Sequence, residues 1–513
     1  MRRISGTRPV GARVAWRAAM AAVVAIVAVM TLVVGQGLAG AEPAPAPAPA
    51  SPAAPAPASP AAPPASPAAP PASPAAPPAS PAAPPSSAAP PSSAAPAAAP
   101  APVPPGKVTN TYWYTDRRVA LWVYSPSMNT NIQVQILLAR DWHAKPKEKF
   151  PQMTMLDGLR AQDDQSGWVL NTKIVDFYKD KNVNVILPIG GESSFYTDWK
   201  EPDRGKNYKW ETFLMRELPP ILENDWRSTD VRGIEGLSMG GSAAMMLAAR
   251  NPGFYKFAAS FSGILQFSSF GMPQAIQFAV RDGGGYDSMK MFGPPTDPAW
   301  KEHDPYVLAD KLQGTSLYIS SGNGMVGEHD KPSDIPLLAT NYSGVGLEML
   351  SRVTSQQFAV QLNRKGIPGQ AVYRPSGTHT WPYWEFEMMQ AWPQAAAALG
   401  LSRDAVACRV DGAFRKLWDA NKGDLGGCLT PAYGVPGGKA QDFANGRIFT
   451  GPKGPKIATG AIGGAYVSAG GPGGRLGKPV SNEEPTRDGK GRVNHFEHGR
   501  ITWTAKDGTK VLK

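Results

Sequence analysis

The sequence predicts an α/β domain, a mostly parallel sheet covered by helices on both faces. Three observations carry this. Apolar runs of strand length alternate with helix-length patterns across residues 106–401. Those runs are nearly continuous in apolar character, as in strands buried on both faces. And "RGIEGLSMGGSAAMMLAAR" (Arg232 to Arg250) passes from such a run, through a serine fenced by glycines, into an Ala/Met/Leu-rich helix. Roughly 300 residues can bury a core of this kind in one domain.

In chain order, "IQVQILLA" (Ile132 to Ala139), "QMTML" (Gln152 to Leu156) and "VNVILPIG" (Val183 to Gly190) read as strands. "RGIEG" leads into Ser238; "FAASFSG" (Phe257 to Gly263), "SLYISSG" (Ser316 to Gly322) and "QAVYRPSG" (Gln370 to Gly377) follow. Helical patterns cover Glu211 to Asn224, Ser242 to Arg250 and Gly346 to Lys365.

Ahead of this domain, Arg2, Arg3, Arg8, Arg13 and Arg17 precede an apolar run from Ala18 to Val34, and Ala39-Gly40-Ala41 offers a small-x-small cleavage pattern. Residues 1–41 therefore read as a signal peptide and the protein as exported, to the medium or the cell wall. The run is long enough that an uncleaved membrane anchor is the alternative. Residues 42–105 are almost entirely Ala, Pro and Ser, with "SPAAP" recurring. They lack the apolar bulk to offset chain entropy, and read as a disordered, polyproline-II-like linker. Without the five leader arginines the formal net charge of +11 becomes +6. No Lys/Arg block is dense enough to suggest nucleic acid. Two cysteines, Cys408 and Cys428, are expected to form one disulfide in an exported chain.

Gly236-Leu237-Ser238-Met239-Gly240 fits the G-x-S-x-G turn, in which a serine in strained backbone stands clear of the sheet as a nucleophile. A general base must then follow. Of His303, His329 and His379, only His379 lies on a loop beyond the last strand, where the order serine, acid, histidine puts the base. The acid should follow the strand at Ser316 to Gly322. Glu328, Asp330 and Asp334 all satisfy the spacing, which does not choose among them. Two backbone N–H groups should receive an oxyanion, that of Met239 and one from the loop "MLDGLRAQDDQSGW". That loop carries Asp157, Arg160, Asp163 and Asp164. No His/Cys cluster has metal-ligand spacing and no glycine-rich phosphate loop follows an early strand, so neither metal nor organic cofactor is expected.

Seven segments taken together, "LDGLRAQDDQSGW", "GGESSFYTDW", "YKWETFLMREL", "GLSMGGSAAMMLAARNP", "GGYDSMKMFGPPTDPAW", "YISSGNG" and "GTHTWPYW", closely resemble the mycolyltransferases of the antigen 85 type. The resemblance spans roughly residues 107 to 400 and implies the α/β-hydrolase fold. It also implies a catalytic triad of Ser238, Glu328 (the glutamate after the "GNG" turn) and His379, with Leu159 and Met239 as the oxyanion donors. Asp157, Arg160 and Trp381 resemble the sugar-pocket residues, as do Asn171 and Ser262. The implied reaction moves a mycolyl group from trehalose monomycolate to a second trehalose monomycolate or to wall arabinogalactan. Phe267 to Val280 is a candidate wall for the acyl chain. The chain departs from the family pattern in "SMGG" for "SMAG", in Gln266 for an acidic sugar contact, and in lacking a cysteine pair between Trp199 and Trp210. A carboxylesterase that releases fatty acid to water, or a wall-bound protein that has lost catalysis, are the competing readings.

Residues 402–513 change texture, to glycine-rich sequence with few long apolar runs. "QDFANGRIFT" (Gln441 to Thr450) returns as "NHFEHGRITW" (Asn494 to Trp503). Repetition of this kind predicts stacked small units. The segment resembles LGFP repeats, with "LGKP" in place of the signature tetrapeptide, which implies a non-catalytic role in wall binding.

Overall fold

The computed structural model describes residues 103–331 and 342–513. The leader at 1–41, nearly all of the linker at 42–105, and Asp334 lie outside the described residues.

The expected α/β architecture is present. A nine-stranded sheet runs in the order β1-β2-β3-β5-β4-β6-β7-β8-β9. Its strands are β1 (Lys107–Thr115), β2 (Arg118–Ser125), β3 (Thr130–Leu137), β4 (Phe150–Leu156), β5 (Asn184–Pro188), β6 (Ser228–Leu237), β7 (Phe257–Phe261), β8 (Ser316–Ser321) and β9 (Gln370–Tyr373). From β5 to β9 every neighbouring pair is parallel, whereas β1, β2 and β3 join β5 as an antiparallel edge. The patterning explains the split. Every residue of β5 and β7 is buried, the signature of a strand covered on both faces. β1 is mostly exposed along its first half, as suits an edge, and so lacks the continuous apolar run that marks the central strands.

The helices used below are α1 (Met239–Arg250), α2 (Met272–Gly284), α3 (Tyr342–Arg364) and α4 (Trp381–Ala398). In α1 every residue except Arg250 is buried; its Ala and Gly let it lie close on β6 and β7, and Arg250 leaves the core to pair with Glu211 at 2.8 Å. The single helix expected over Glu211 to Asn224 is instead broken into an α turn at Trp210–Thr212, a π turn at Phe213–Glu217 and a new helix at Pro219–Asn224. Pro219 and Pro220 have no N–H to continue the ladder, so the chain widens ahead of them and restarts.

After α4 come α5 (Gly412–Leu425) and α6 (Gly460–Ser468), with two four-stranded antiparallel sheets. One contains β10 (Tyr433–Val435), β11 (Gly438–Phe443), β12 (Gly446–Phe449) and β13 (Lys456–Thr459). The other contains β14 (Glu484–Pro485), β15 (Gly491–Phe496), β16 (Gly499–Thr504) and β17 (Gly508–Leu512). Phe443 and Phe496 occupy matching positions at the ends of β11 and β15, and both are buried. Cys408 and Cys428 are disulfide-bonded, Cα atoms 5.9 Å apart.

This module caps the free edge of the large sheet. α6 packs on β1 through Gly464, where a Cβ would come within 2.9 Å of the Thr115 carbonyl. Beside it lies a buried ionic cluster: Arg447 pairs with Asp442 and, at 3.2 Å, with Asp116 of the β1–β2 turn. The Tyr433 hydroxyl donates to Asp442 at 2.8 Å, and the His143 ring lies 2.7 Å from the Asp116 carbonyl. Burial, with Arg447 adding repulsion, pushes the His143 imidazole down to about 3, so it is neutral here.

Candidate active site

Ser238 sits between β6 and α1 at φ +51° and ψ −120°, a sparsely populated backbone conformation that costs a non-glycine residue about 1–3 kcal/mol. The surroundings hold it there. Its N–H donates to the Phe261 carbonyl of β7 at 2.8 Å, and its carbonyl accepts from the Ser242 N–H at 3.0 Å. Gly236 makes the turn possible, because a Cβ there would run into the backbone of Gly240.

His379, on the loop between β9 and α4, brings Nε2 to 2.8 Å from the Ser238 hydroxyl. Its Nδ1 lies 2.6 Å from a carboxylate, and that carboxylate belongs to Glu348. The glutamate inferred for this position, Glu328, is not there. Its side chain is 78 % exposed and its nearest ionic partner is His329, at 3.4 Å. The cause is topological. The turn after β8 closes on itself, with Asp330 accepting from the Gly327 N–H, the Thr378 hydroxyl and the Tyr383 hydroxyl at 2.7–2.8 Å. Glu328 is left on its outer side. Asp330 thereby braces the residue preceding His379 without reaching the imidazole. The acid arrives later, from the first turns of α3. Glu348, Ser351, Ser355, Phe358 and Leu362 form a buried stripe of α3 at helical spacing; with three of the five polar, no apolar periodicity marked it along the chain, and a carboxylate buried in such a stripe demands a partner.

Leu159 and Met239 both border the cleft at Ser238. Among the described residues neither backbone N–H donates a hydrogen bond. The Leu159 carbonyl accepts from the Ser193 N–H at 2.9 Å. Ser193, Phe195 and Tyr196 all have positive φ, and this strained loop also offers the Tyr196 hydroxyl to the Asp157 N–H at 3.2 Å.

A cleft of about 350 Å³ opens over Ser238. Asp157, Arg160, Asn171, Ser262 and Trp381 all line it. Asp157 is 2 % exposed and accepts from the N–H groups of Gly167 and Trp168 at 3.0 and 3.3 Å. Burial pushes its carboxyl up to about 7, although those two bonds favour the ionised form. Arg160 is mostly exposed and pairs at 2.8 Å with Asp282 of α2, so the pair joins the loop after β4 to that helix. Trp381 stands edge-on to both Trp168 and Trp384. Asn171 bonds back to the Gly167 carbonyl and stays exposed. Ser262 differs from the rest: its hydroxyl donates to Glu348. Of the Phe267 to Val280 stretch, Ala279 reaches the cleft, while Phe267, Met272, Ile276 and Val280 are buried behind it. Gln266 is also buried, accepting from Ser269.

Residues 125–395 match the family described as putative esterase, and residues 425–474 and 476–513 match the LGFP repeat. Over 290 residues the chain is 38% identical to the diacylglycerol acyltransferase/mycolyltransferase Ag85C of Mycobacterium avium, spanning 54% of this chain and 77% of that protein. It is 38% identical over 288 residues to the corresponding Ag85A of Mycobacterium tuberculosis strain H37Rv, spanning 55% and 81%. The crystal structure of MPT51 from Mycobacterium tuberculosis aligns with 54% of this chain and 97% of its own, at 27% identity and a TM-score of 0.46.

Proposed function

The chain belongs to the diacylglycerol acyltransferase/mycolyltransferase family of esterase-like serine enzymes and carries LGFP repeats, and on that premise we propose that it transfers mycolyl groups between sugars through an ester on Ser238. The donor is trehalose monomycolate; the acceptor is a second trehalose monomycolate, giving the dimycolate, or wall arabinogalactan. The observation that carries this reading is the hydrogen-bonded line from Ser238 through His379 to Glu348, ending in a cleft that also holds Asp157, Arg160 and Trp381.

In the first half-reaction the Ser238 oxygen attacks the ester carbonyl while His379 Nε2 takes its proton. The N–H groups of Leu159 and Met239 receive the developing oxyanion. Collapse breaks the bond to trehalose, whose oxygen leaves with the proton from His379. In the second half-reaction His379 accepts the proton of an incoming sugar hydroxyl, that oxygen attacks the acyl-serine, and Ser238 is released with its proton restored. Glu348 holds the imidazole in the right tautomer throughout and bears its transient positive charge. Asp157 offers its carboxyl to sugar hydroxyls, while Trp381 offers an apolar face. Water is the competing acceptor, and positioning of the sugar is what disfavours it.

Export by residues 1–41, anchorage of the repeat module to wall polysaccharide, and the Cys408–Cys428 disulfide form one consistent picture of an enzyme working outside the cell. The decisive test incubates the purified chain with trehalose monomycolate and resolves the lipid products, with and without arabinogalactan. Dimycolate or mycolylated polysaccharide is expected, and Ser238→Ala abolishes both. Free mycolate alone would replace this reading with that of a hydrolase.

A further inference from the structure

Resting on the acyl-enzyme reading above, we propose that Ser262 and Trp384 are positioning residues for the triad acid: the indole N–H of Trp384 sets the hydroxyl of Ser262, and that hydroxyl holds Glu348 in the rotamer that serves His379. The carboxylate of Glu348 is almost wholly buried, and its two oxygens do different work. Oε2 faces His379 Nδ1 at 2.6 Å. Oε1 accepts from the Gly322 N–H at 2.6 Å and from the Ser262 hydroxyl at 2.9 Å.

A serine hydroxyl is a rotor with one proton, free in general to point elsewhere. Here it has no choice. Trp384 Nε1, a donor only, lies 3.1 Å from Ser262 Oγ and occupies a lone pair. An ionised Glu348 can only accept. The single proton of Ser262 is therefore directed at Glu348 Oε1.

The backbone of Ser262 confirms that this residue is held in place deliberately. It adopts φ +53°, outside the regions open to most residues, on the segment following β7. Its N–H donates to the Ser320 carbonyl of β8 at 2.8 Å, and its carbonyl accepts from the Ser351 hydroxyl at 2.7 Å. Ser351 lies one turn beyond Glu348 on α3, so Ser262 grips that helix twice, once through the acid and once through its neighbour. Trp384 also presents its ring edge-on to the His379 imidazole, centroids 5.0 Å apart at 87°. One indole thus braces the base directly and the acid through Ser262. This assigns Ser262 to the acid, with its proton already committed, where the family resemblance assigns it to the sugar.

The test uses the full chain, with Ser262→Ala, Trp384→Phe and Glu348→Gln singly and combined, assayed by turnover of a short-chain p-nitrophenyl ester. Alanine tolerates φ +53° no worse than serine, and phenylalanine keeps a ring while removing the N–H. Ser262→Ala is expected to lower kcat ten- to a hundredfold with KM within twofold. Trp384→Phe should lower it three- to tenfold, and both should disturb the far-downfield proton resonance of the His379–Glu348 hydrogen bond. In the Glu348→Gln background, adding Ser262→Ala should cost less than twofold more. A raised KM at unchanged kcat, or a full cost persisting in the Glu348→Gln background, would overturn the assignment. If Glu348→Gln itself keeps the wild-type rate, the acyl-enzyme reading falls first. If Glu348→Gln is crippled and the other two variants are not, only the present inference fails.

Discussion

Glu348→Gln is the substitution whose outcome the geometry determines most fully. Glutamine matches glutamate in shape, so packing is preserved and only the hydrogen-bond polarity changes. The orientation of the new amide is decided by its neighbours. Oε1 faces two donors, the Gly322 N–H and the Ser262 hydroxyl, so the amide oxygen stays there and the NH₂ takes the place of Oε2, 2.6 Å from His379 Nδ1. An NH₂ donates. Nδ1 must then accept, which puts the ring proton on Nε2, the atom that has to take the proton of Ser238. The nucleophile faces a donor instead of a base, and no carboxylate remains to offset the imidazolium. A triad deprived of its acid in this way loses about 10²–10⁴ in kcat, or about 3–5 kcal/mol of barrier stabilisation. The assay is steady-state acyl transfer beside Glu328→Gln, which changes an exposed side chain whose ionic partner among the described residues is His329 and should stay within twofold of wild type. A Glu348→Gln enzyme within threefold of wild type, or a Glu328→Gln enzyme that collapses, would refute the reasoning.

Three further outcomes follow from packing and charge. Gly236→Ala forces a Cβ into the Gly240 backbone; an unfolding penalty of about 1–3 kcal/mol should accompany loss of serine labelling by a fluorophosphonate probe, and an unchanged Tm with full labelling would contradict it. Glu235 is wholly buried on β6, neither carboxylate oxygen has a partner among the described residues, and burial pushes it up to about 8. Its folded value is raised, so the contribution of Glu235 to stability is fully present below about 4.5 and is lost as pH climbs to about 8. Glu235→Gln should remove that decline, worth on the order of a few kcal/mol, and parallel pH–Tm curves for the two proteins would disprove the account. Arg447→Met strands the carboxylates of Asp442 and Asp116 at the seam between module and sheet; calorimetry should show a loss of about 3–5 kcal/mol and earlier melting of the repeat module, whereas a melting profile identical to wild type would show the cluster to be idle.

Much of the molecule was legible along the chain. Apolar runs of strand length located the strands from β3 to β8, because strands buried in a covered sheet must be apolar nearly throughout, and the edge strand β9 was found by its place in the strand-helix alternation. Ser238 announced itself by the glycines around it, since a strained turn against a sheet excludes side chains at fixed offsets. His379 followed from the order of elements, and Phe443 and Phe496 from a repeated segment. These features are local, or repeat locally, and short-range sterics write them into the sequence. Three others belong to the tertiary structure alone. The antiparallel edge β1–β2 has an exposed face and a covering supplied by α6, 300-odd residues away. The acid could be any carboxylate after β8 until α3 folded back and carried Glu348, not Glu328, beneath His379. The resemblance gave Ser262 to the sugar pocket, and only the fold sets its hydroxyl between Glu348 and the Trp384 indole. In each case the deciding contact joins distant segments, and a hydrogen bond's direction depends on which donor and acceptor the completed fold sets within 3 Å of one another.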